Sequence, residues 1–418
     1  MRGKSRGDKR PVVLYTSPLL RHPPRSGPQL RVENTLKALS RIADVHLFSR
    51  VMPEAMGETS ALRFYQGLCR TVRQAPFTQD SKSPFHNAAR HIAQGLGLFE
   101  DRPIGRESAR DYRALLRMAE SIRADVIWLG YGNLSYPLLR FIKDHSQFPV
   151  VLDTDSVWSR YVLRGIPFAA SEEERGRLRQ EGEAKAEEER WGTALADITV
   201  AVSEVDAEYY RQLAHDSAQV CVVSNGIDLD AYTPAPEPPP GMKHPCVYLA
   251  GTFWPGSPME HAAHWLVEVV LPLVRRTRPG LHVYILGNGS RETLSELPRD
   301  GVDILGEVEC VLPWLCHADA VAVPLHFESG TRFKILEAGA CRKAVVSTTL
   351  GAEGLNAIHG TDIVIADSAE TFAQGILSVL DNPDTSRVLG DRLRVKVESE
   401  FGIDTIARQA GSVLDCLL

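Results

Sequence analysis

The stretch Val323-Pro-Leu-His-Phe-Glu-Ser-Gly-Thr-Arg-Phe-Lys-Ile-Leu-Glu-Ala-Gly-Ala-Cys-Arg-Lys-Ala-Val-Val-Ser347 gathers residue types able to hold an anion. An apolar run ends at Pro324, a small-residue turn Ser329-Gly330-Thr331 follows, and a helix is expected to begin near Thr331, a good N-cap residue. Gly330 permits close approach to the backbone. The free N–H groups of a first helical turn, with the positive end of the helix dipole, attract negative charge. Arg332 and Lys334 place two cations in that same turn, where the dipole disfavours them. They make sense if an anion such as a diphosphate sits between them and the turn.

Glu337 follows within Ile-Leu-Glu-Ala-Gly-Ala, and a carboxylate in such surroundings is costly unless bonded. Two readings remain open: a bidentate contact to adjacent ribose hydroxyls, or an i, i+3 pair with Lys334 on a surface. Asp153-Thr-Asp155 suggests either a divalent-metal D-x-D or two carboxylates capping the next helix. His261-x-x-His264 with Glu260 is half a metal site without an evident third ligand. The seven cysteines are irregularly spaced and contain no C-x-x-C, so a reducing compartment is expected. Cys310 and Cys316 beside His317 lack the paired short spacings of structural zinc, and no metal site is expected.

These residues need a scaffold. Twelve short Val-, Ile- and Leu-rich runs, from Pro11–Thr16 to Asp362–Ala366, alternate with helical patterns such as Gln29–Ser40, Glu260–Arg276 and Glu309–Ala318. Unalternated apolar runs are the pattern of parallel strands buried on both faces, and their alternation with helices implies doubly wound α/β sheets. The Pro-rich segment 233–241 breaks the alternation. We therefore expect a basic tail at 1–10, a first Rossmann-like domain at 11–232, the linker 233–241, and a second domain at 242–385. Helices at 386–418 are expected to cross back to the first. Ligands of such sheets bind beyond the carboxyl ends of the strands, here in the cleft between the domains. Net charge is −6, from 47 Lys and Arg against 53 Asp and Glu, which argues against a nucleic-acid coat protein. No stretch reaches the roughly 18 apolar residues of a membrane span. The run at 109–124, with Arg110, Arg113, Arg117 and Arg123, could lie on an anionic membrane, or be an ordinary outer helix.

The string Gly330-Thr-Arg-Phe-Lys-Ile-Leu-Glu-Ala, followed by Ala344-Val-Val-Ser-Thr and Gly351-Ala-Glu-Gly-Leu355, resembles the retaining GT-B glycosyltransferases of family 4. Within them it is most similar to the bacterial exopolysaccharide and exosortase-associated branch. Further matches lie at Ser26-Gly-Pro-Gln-Leu-Arg31, Val151-Leu-Asp-Thr-Asp155, Val202-Ser-Glu-Val-Asp206, Ser224-Asn-Gly-Ile-Asp228, Gly251-Thr-Phe-Trp-Pro255 and Ile285-Leu-Gly-Asn-Gly289. They span nearly the whole chain.

The resemblance implies a GT-B fold and transfer of a sugar from a nucleotide sugar, a UDP- or GDP-sugar, with retention. The acceptor would be a glycan, a lipid-linked sugar or a small molecule. It implies no tightly bound cofactor, and a cytoplasmic protein with peripheral contact to the inner membrane face as a possibility. By residue, it implies that Glu337 holds the ribose, and that Ser329, Gly330 and Thr331 hold the diphosphate with Arg332 and Lys334. Gly251, Thr252 and Gly287 would border the donor, and Glu307 and Val308 the base. Gly27 would approach phosphate or acceptor, and Asp155 would stand beside the sugar. Two features depart from the pattern: Ser329 replaces the first Glu of E-x7-E, with Glu328 one residue earlier, and no cation follows Gly251. An impaired, sugar-binding partner subunit is the alternative they imply.

Overall fold

The structure, a computed structural model, describes residues 9–52, 55–57, 59–75, 109–214 and 218–418. Most of the expected tail, positions 1–8, lies outside the described residues. The first domain is a parallel sheet of seven strands: β1 (Val12–Ser17), β2 (Asp44–Ser49), β3 (Thr71–Gln74), β4 (Val126–Gly130), β5 (Val150–Asp153), β6 (Ile198–Ala201) and β7 (Val220–Val222). Their order is β3-β2-β1-β4-β5-β6-β7. The second domain has six parallel strands: β8 (Cys246–Ala250), β9 (His282–Leu286), β10 (Val302–Gly306), β11 (Ala320–Val323), β12 (Val345–Ser347) and β13 (Val364–Ile365). Their order is β10-β9-β8-β11-β12-β13. This is the GT-B architecture, two Rossmann-like α/β domains.

The central strands β1, β4, β5 and β6 are buried along their whole length, because helices cover both faces. Each sheet reverses its winding next to its first strand, between β1 and β4 and between β8 and β11. Such a switch point opens a crevice at the carboxyl ends of the strands, and it is where ligands settle. The twelve expected runs all contain strands. β3 was not among them: Thr-Val-Arg-Gln is an exposed edge, and an edge needs no apolar run.

The segment expected to cross back divides at Gly402. The Pro383–Phe401 helix sends Leu389, Leu393 and Val397 into the core of the second domain. Only the Ile403–Leu417 helix crosses, burying Ile406, Ala410, Val413 and Leu414 in the first core against the Gly27–Ile42 helix. The expectation is corrected for 386–401, whose apolar face matches the second core. At the crossing, Ile227 N donates to Phe401 O at 2.8 Å. The Ala109–Ile122 helix buries Leu115, Met118 and Ala119 in the first domain and exposes Arg110, Arg113 and Arg117. Its apolar face is therefore already covered.

Candidate active site

β4 ends at Gly130, and Tyr131 follows in the left-handed region at φ 57°, which is uncommon for a bulky residue. This turn presents Asn133, whose Oδ1 accepts from Asp155 N at 3.2 Å and whose Nδ2 donates to Ser156 O at 2.9 Å. Asp155 thus stands just beyond β5, at the start of the Trp158–Gly165 helix. Burial pushes its carboxyl up to about 7, against the pull of Arg31, its own backbone amide, Trp158 and Ser156. The helix start is capped from below by Glu189, which accepts from Trp158 N at 2.6 Å, from Ser159 N at 3.3 Å and from the Ser159 hydroxyl. Asp153, by contrast, is internal: its oxygens accept from Arg31 and, at 2.9 Å, from Trp128 Nε1.

Across the seam, β11 leads to Glu328 and the turn 329–331. Ser329 Oγ accepts from Val157 N at 3.1 Å, and Thr331 Oγ1 accepts from Asn225 Nδ2 at 2.7 Å. Gly330 has φ 79°, and a Cβ there would stand 2.7 Å from Asp155 O. The turn is pressed against the first domain, so the close approach that Gly330 permits is to protein backbone. Two expectations are corrected here. The helix begins at Phe333 with Arg332 at the N-cap, because the Thr331 hydroxyl is committed to Asn225. Arg332 does not reach outward. Its guanidinium folds back onto the carbonyls of Ser329, at 2.6 Å, and Gly330, which a tight turn leaves in need of donors. Only 5% of Arg332 is exposed, and its Nε and Nη2 are buried without a partner.

Lys334 remains turned toward the start of the Pro258–His264 helix, just after the second domain's first loop, with Nζ 3.4 Å from Met259 Sδ. Burial draws its ammonium down to about 8; Glu328 opposes this and Arg332 adds to it. Glu328 has one buried carboxylate oxygen without a partner, and burial pushes its carboxyl up against the pull of Arg332, Lys334 and Arg164. Burial, Asp155 and Glu328 all push the Tyr131 hydroxyl up, so both carboxylates act on one tyrosine. Glu337 is half-buried, and Tyr232, at the start of the linker, donates its hydroxyl to Glu337 Oε1 at 3.1 Å.

The remaining expected residues form the surround. A Cβ on Gly251 would meet Met259 at 2.8 Å. Gly287 has φ 130°, and a Cβ there would overlap Gly251 O, so these two loops touch beside half-buried Thr252. Gly27, at the start of its helix, lies against the Phe333 ring across the seam. Glu307 is exposed at the rim, 3.4 Å from Arg25 of the first domain, and Val308 packs on the second core. His264 pairs with Glu268 at 3.1 Å, and His261 packs edge-on to Phe168. Among the described residues, His244, Cys246 and Asp319 bring ligand-type atoms within 4.8 Å of one another. The Asp319 oxygen already accepts from Cys246 N at 2.7 Å and pairs with the His244 ring at 2.8 Å.

Sequence reasoning missed the clasp between the domains. Arg164 donates to both oxygens of Glu353 at 2.8 Å and to Glu328 O at 2.7 Å, and Arg160 reaches Glu353 at 2.9 Å. Burial disfavours the Glu353 charge, yet Arg164, Arg160 and Arg332 together hold its carboxyl below the usual range. Phe168 stacks on Phe327 beside it, ring centres 4.9 Å apart. Glu353 lies in the Gly351–Leu355 string; Arg160, Arg164 and Tyr131 carry no sequence signal.

Comparison with known proteins gives two family matches: Glycosyltransferase Family 4 over residues 57–231, and Glycosyl transferases group 1 over 244–382. A glycogen synthase of Mycobacterium tuberculosis is 26% identical over 206 residues, 47% of this chain and 48% of that one. A D-inositol 3-phosphate glycosyltransferase of Gordonia bronchialis is 28% identical over 262 residues, 56% of this chain and 55% of that one. The chain thus spans about half the length of the curated relatives it matches. Among solved structures, a sucrose-phosphate synthase from Thermosynechococcus elongatus superposes with TM-score 0.66 at 17% identity, covering 98% of this chain and 99% of that one. Anabaena HepE, solved with UDP and glucose, gives 0.63 at 15% identity, covering 96% and 99%. No helix among the described residues is long and apolar enough to cross a membrane.

Proposed function

We propose that this chain, a GT-B protein of glycosyltransferase family 4, is an enzyme that moves a sugar from a nucleotide-sugar donor to a hydroxyl acceptor. The observation that carries this reading is the grouping of Glu328, Lys334 and Glu337 beyond β11, at the second sheet's switch point, across the seam from Asp155 beyond β5, with Asp155 and Glu328 both acting on Tyr131. The donor would enter when the domains part, with its ribose on Glu337 and its diphosphate near Lys334. As the anomeric bond breaks, negative charge grows on the leaving diphosphate. A fixed ammonium in a water-poor seam stabilises that charge, which is the main catalytic effect available here. Asp155 would accept a hydrogen bond from the transferred sugar. The acceptor hydroxyl would lose its proton toward the departing diphosphate, on the same face of the sugar, so that configuration is retained. A UDP-sugar, with uracil as its base, is the donor we favour, since the solved HepE complexes hold UDP. The acceptor class we favour is a glycan or lipid-linked sugar, in the cytoplasm.

The test is nucleotide release from a panel of UDP- and GDP-sugars, with and without glycan acceptors. Lys334→Ala should lower turnover about a hundredfold, the scale of one lost transition-state contact to a charged group. A second reading is favoured by the sealed turn at 329–331 and the inward Arg332: a partner subunit that binds a sugar nucleotide without turnover. Binding of UDP-sugar with no release under any acceptor would establish that reading and remove the first.

A further inference from the structure

We propose that Cys316 and Cys341 form a peroxide-sensitive dithiol, whose disulfide would join the Leu312–His317 helix to the end of the Phe333–Ala340 helix. The two sulfurs stand 3.5 Å apart, within thiol hydrogen-bond range, and both residues are half-buried. Lys343 is fixed beside them, donating its ammonium to Cys316 O at 2.9 Å. The neighbouring Cys341 thiol, the Lys343 ammonium and the His317 ring favour the Cys316 thiolate, in the order given, while burial opposes it; the balance brings the thiol down to about 7. Thiolate character, partial exposure and an adjacent second thiol are what redox-sensitive cysteines require.

The step balances without a cofactor. The Cys316 thiolate attacks one oxygen of hydrogen peroxide, the O–O bond breaks, and a sulfenic acid forms as the other oxygen leaves as water after protonation. Cys341 sulfur then attacks the sulfenic sulfur and expels a second water. Two thiols lose two protons and two electrons, and one peroxide becomes two waters. The sulfurs must close to about 2.05 Å, a short path from their present spacing.

The location gives the bond a consequence. Cys341 N donates to Glu337 O at 3.0 Å, so the sulfur lies one helical turn beyond the carboxylate assigned to the ribose. His317, next to Cys316, meets Pro236 O of the linker at 2.8 Å, while Tyr232, four residues earlier at the linker's start, bonds Glu337. A disulfide would tie the linker anchor to the donor helix. This part rests on the proposed function; the thiol chemistry does not.

The experiment treats the full chain with hydrogen peroxide, then follows intact mass, mapped disulfide peptides and UDP titration. We expect a mass lower by two hydrogens, loss of two of the seven titratable thiols, a Cys316–Cys341 peptide, and reversal by dithiothreitol. In Cys341→Ser, dimedone should label Cys316. If both cysteines stay alkylatable while exposed Cys310 and Cys416 oxidise, or dimedone ignores Cys316, the dithiol is refuted. UDP affinity should fall severalfold on oxidation. Unchanged affinity in mapped, oxidised protein overturns the link to the donor helix, whereas reduced protein that never binds UDP counts against the proposed function instead.

Discussion

The two walls of the seam are built in different ways. The second domain supplies its side from one contiguous block, where Glu328, the 329–331 turn, Lys334 and Glu337 follow β11 within a single strand–turn–helix unit. The first domain assembles its side from four distant segments: Gly27, Tyr131 with Asn133, Asp155 and Asn225. These meet only because the strands that precede them, β1, β4, β5 and β7, belong to one sheet, with β6 between the last two. The chemistry differs as well. The second wall concentrates formal charge, with two cations and two carboxylates in close mutual influence. The first wall tunes one carboxyl by burial and hydrogen bonds. A contiguous wall can be weakened by one side chain, whereas a distributed one depends on the elements that hold each piece.

The sharpest break should come on the contiguous side. Glu337→Gln keeps the shape and removes the charge that Tyr232 and a ribose would share. Losing one charge-assisted contact of about 1.5–3 kcal/mol should cut kcat/KM by tens to about a hundredfold, most of it in the donor KM. Unchanged donor affinity would move the nucleotide away from this helix. On the distributed side, Asp155→Asn should reduce kcat about tenfold, and the pH profile is the more telling readout. Since burial holds this carboxyl near 7, wild-type activity should rise with pH through neutrality as Asp155 ionises and becomes able to accept the sugar's hydrogen bond, and the variant should lose that inflection. A profile still bending near 7 in the variant would assign the bend elsewhere.

The clasp joins the walls and should respond more weakly. Glu353→Gln leaves Arg160 and Arg164 without their shared carboxylate. Because the cluster is only partly buried, we expect about a threefold to tenfold rise in donor KM and little change in kcat. Scattering in solution should show a more open average shape. An equal loss in kcat would mean that Glu353 acts on the chemistry itself.

The same contrast governs what the amino-acid sequence reveals. Apolar strand runs are strong local signals, and every expected one holds a strand; the exposed edge β3 has no such pattern. The block from 323 to 355 is readable because its spacing is local. Its side-chain directions are not: that Arg332 satisfies its own turn depends on the first domain pressing against Gly330. The clasp residues Arg160 and Arg164 look like any helix-surface cations until the Glu353 loop is brought to them. Likewise the split of the C-terminal segment at Gly402 depends on which core each apolar face fits.

The mildest test addresses how the distributed wall is held. Glu189 is 1% exposed and caps the helix that follows Asp155. Burial pushes its carboxyl up to about 7, although Ser159, two backbone amides and Lys185 pull the other way. An acid raised above its unfolded value stabilises the fold fully below the unfolded pKa, near 4.5, and loses that contribution as pH rises through about 7. Glu189→Gln imitates the neutral acid, which offers the same single carbonyl acceptor to the helix start. At pH 5 the two proteins should therefore melt within a degree or two of each other. By pH 8 the variant should gain on the wild type by something on the order of 2 kcal/mol. Asp155 titrates over the same range in both proteins and cancels in the difference. A melting difference that stays flat from pH 5 to pH 8 would mean that Glu189 is ionised throughout, its three donors outweighing burial, and that the first wall is anchored by charge after all.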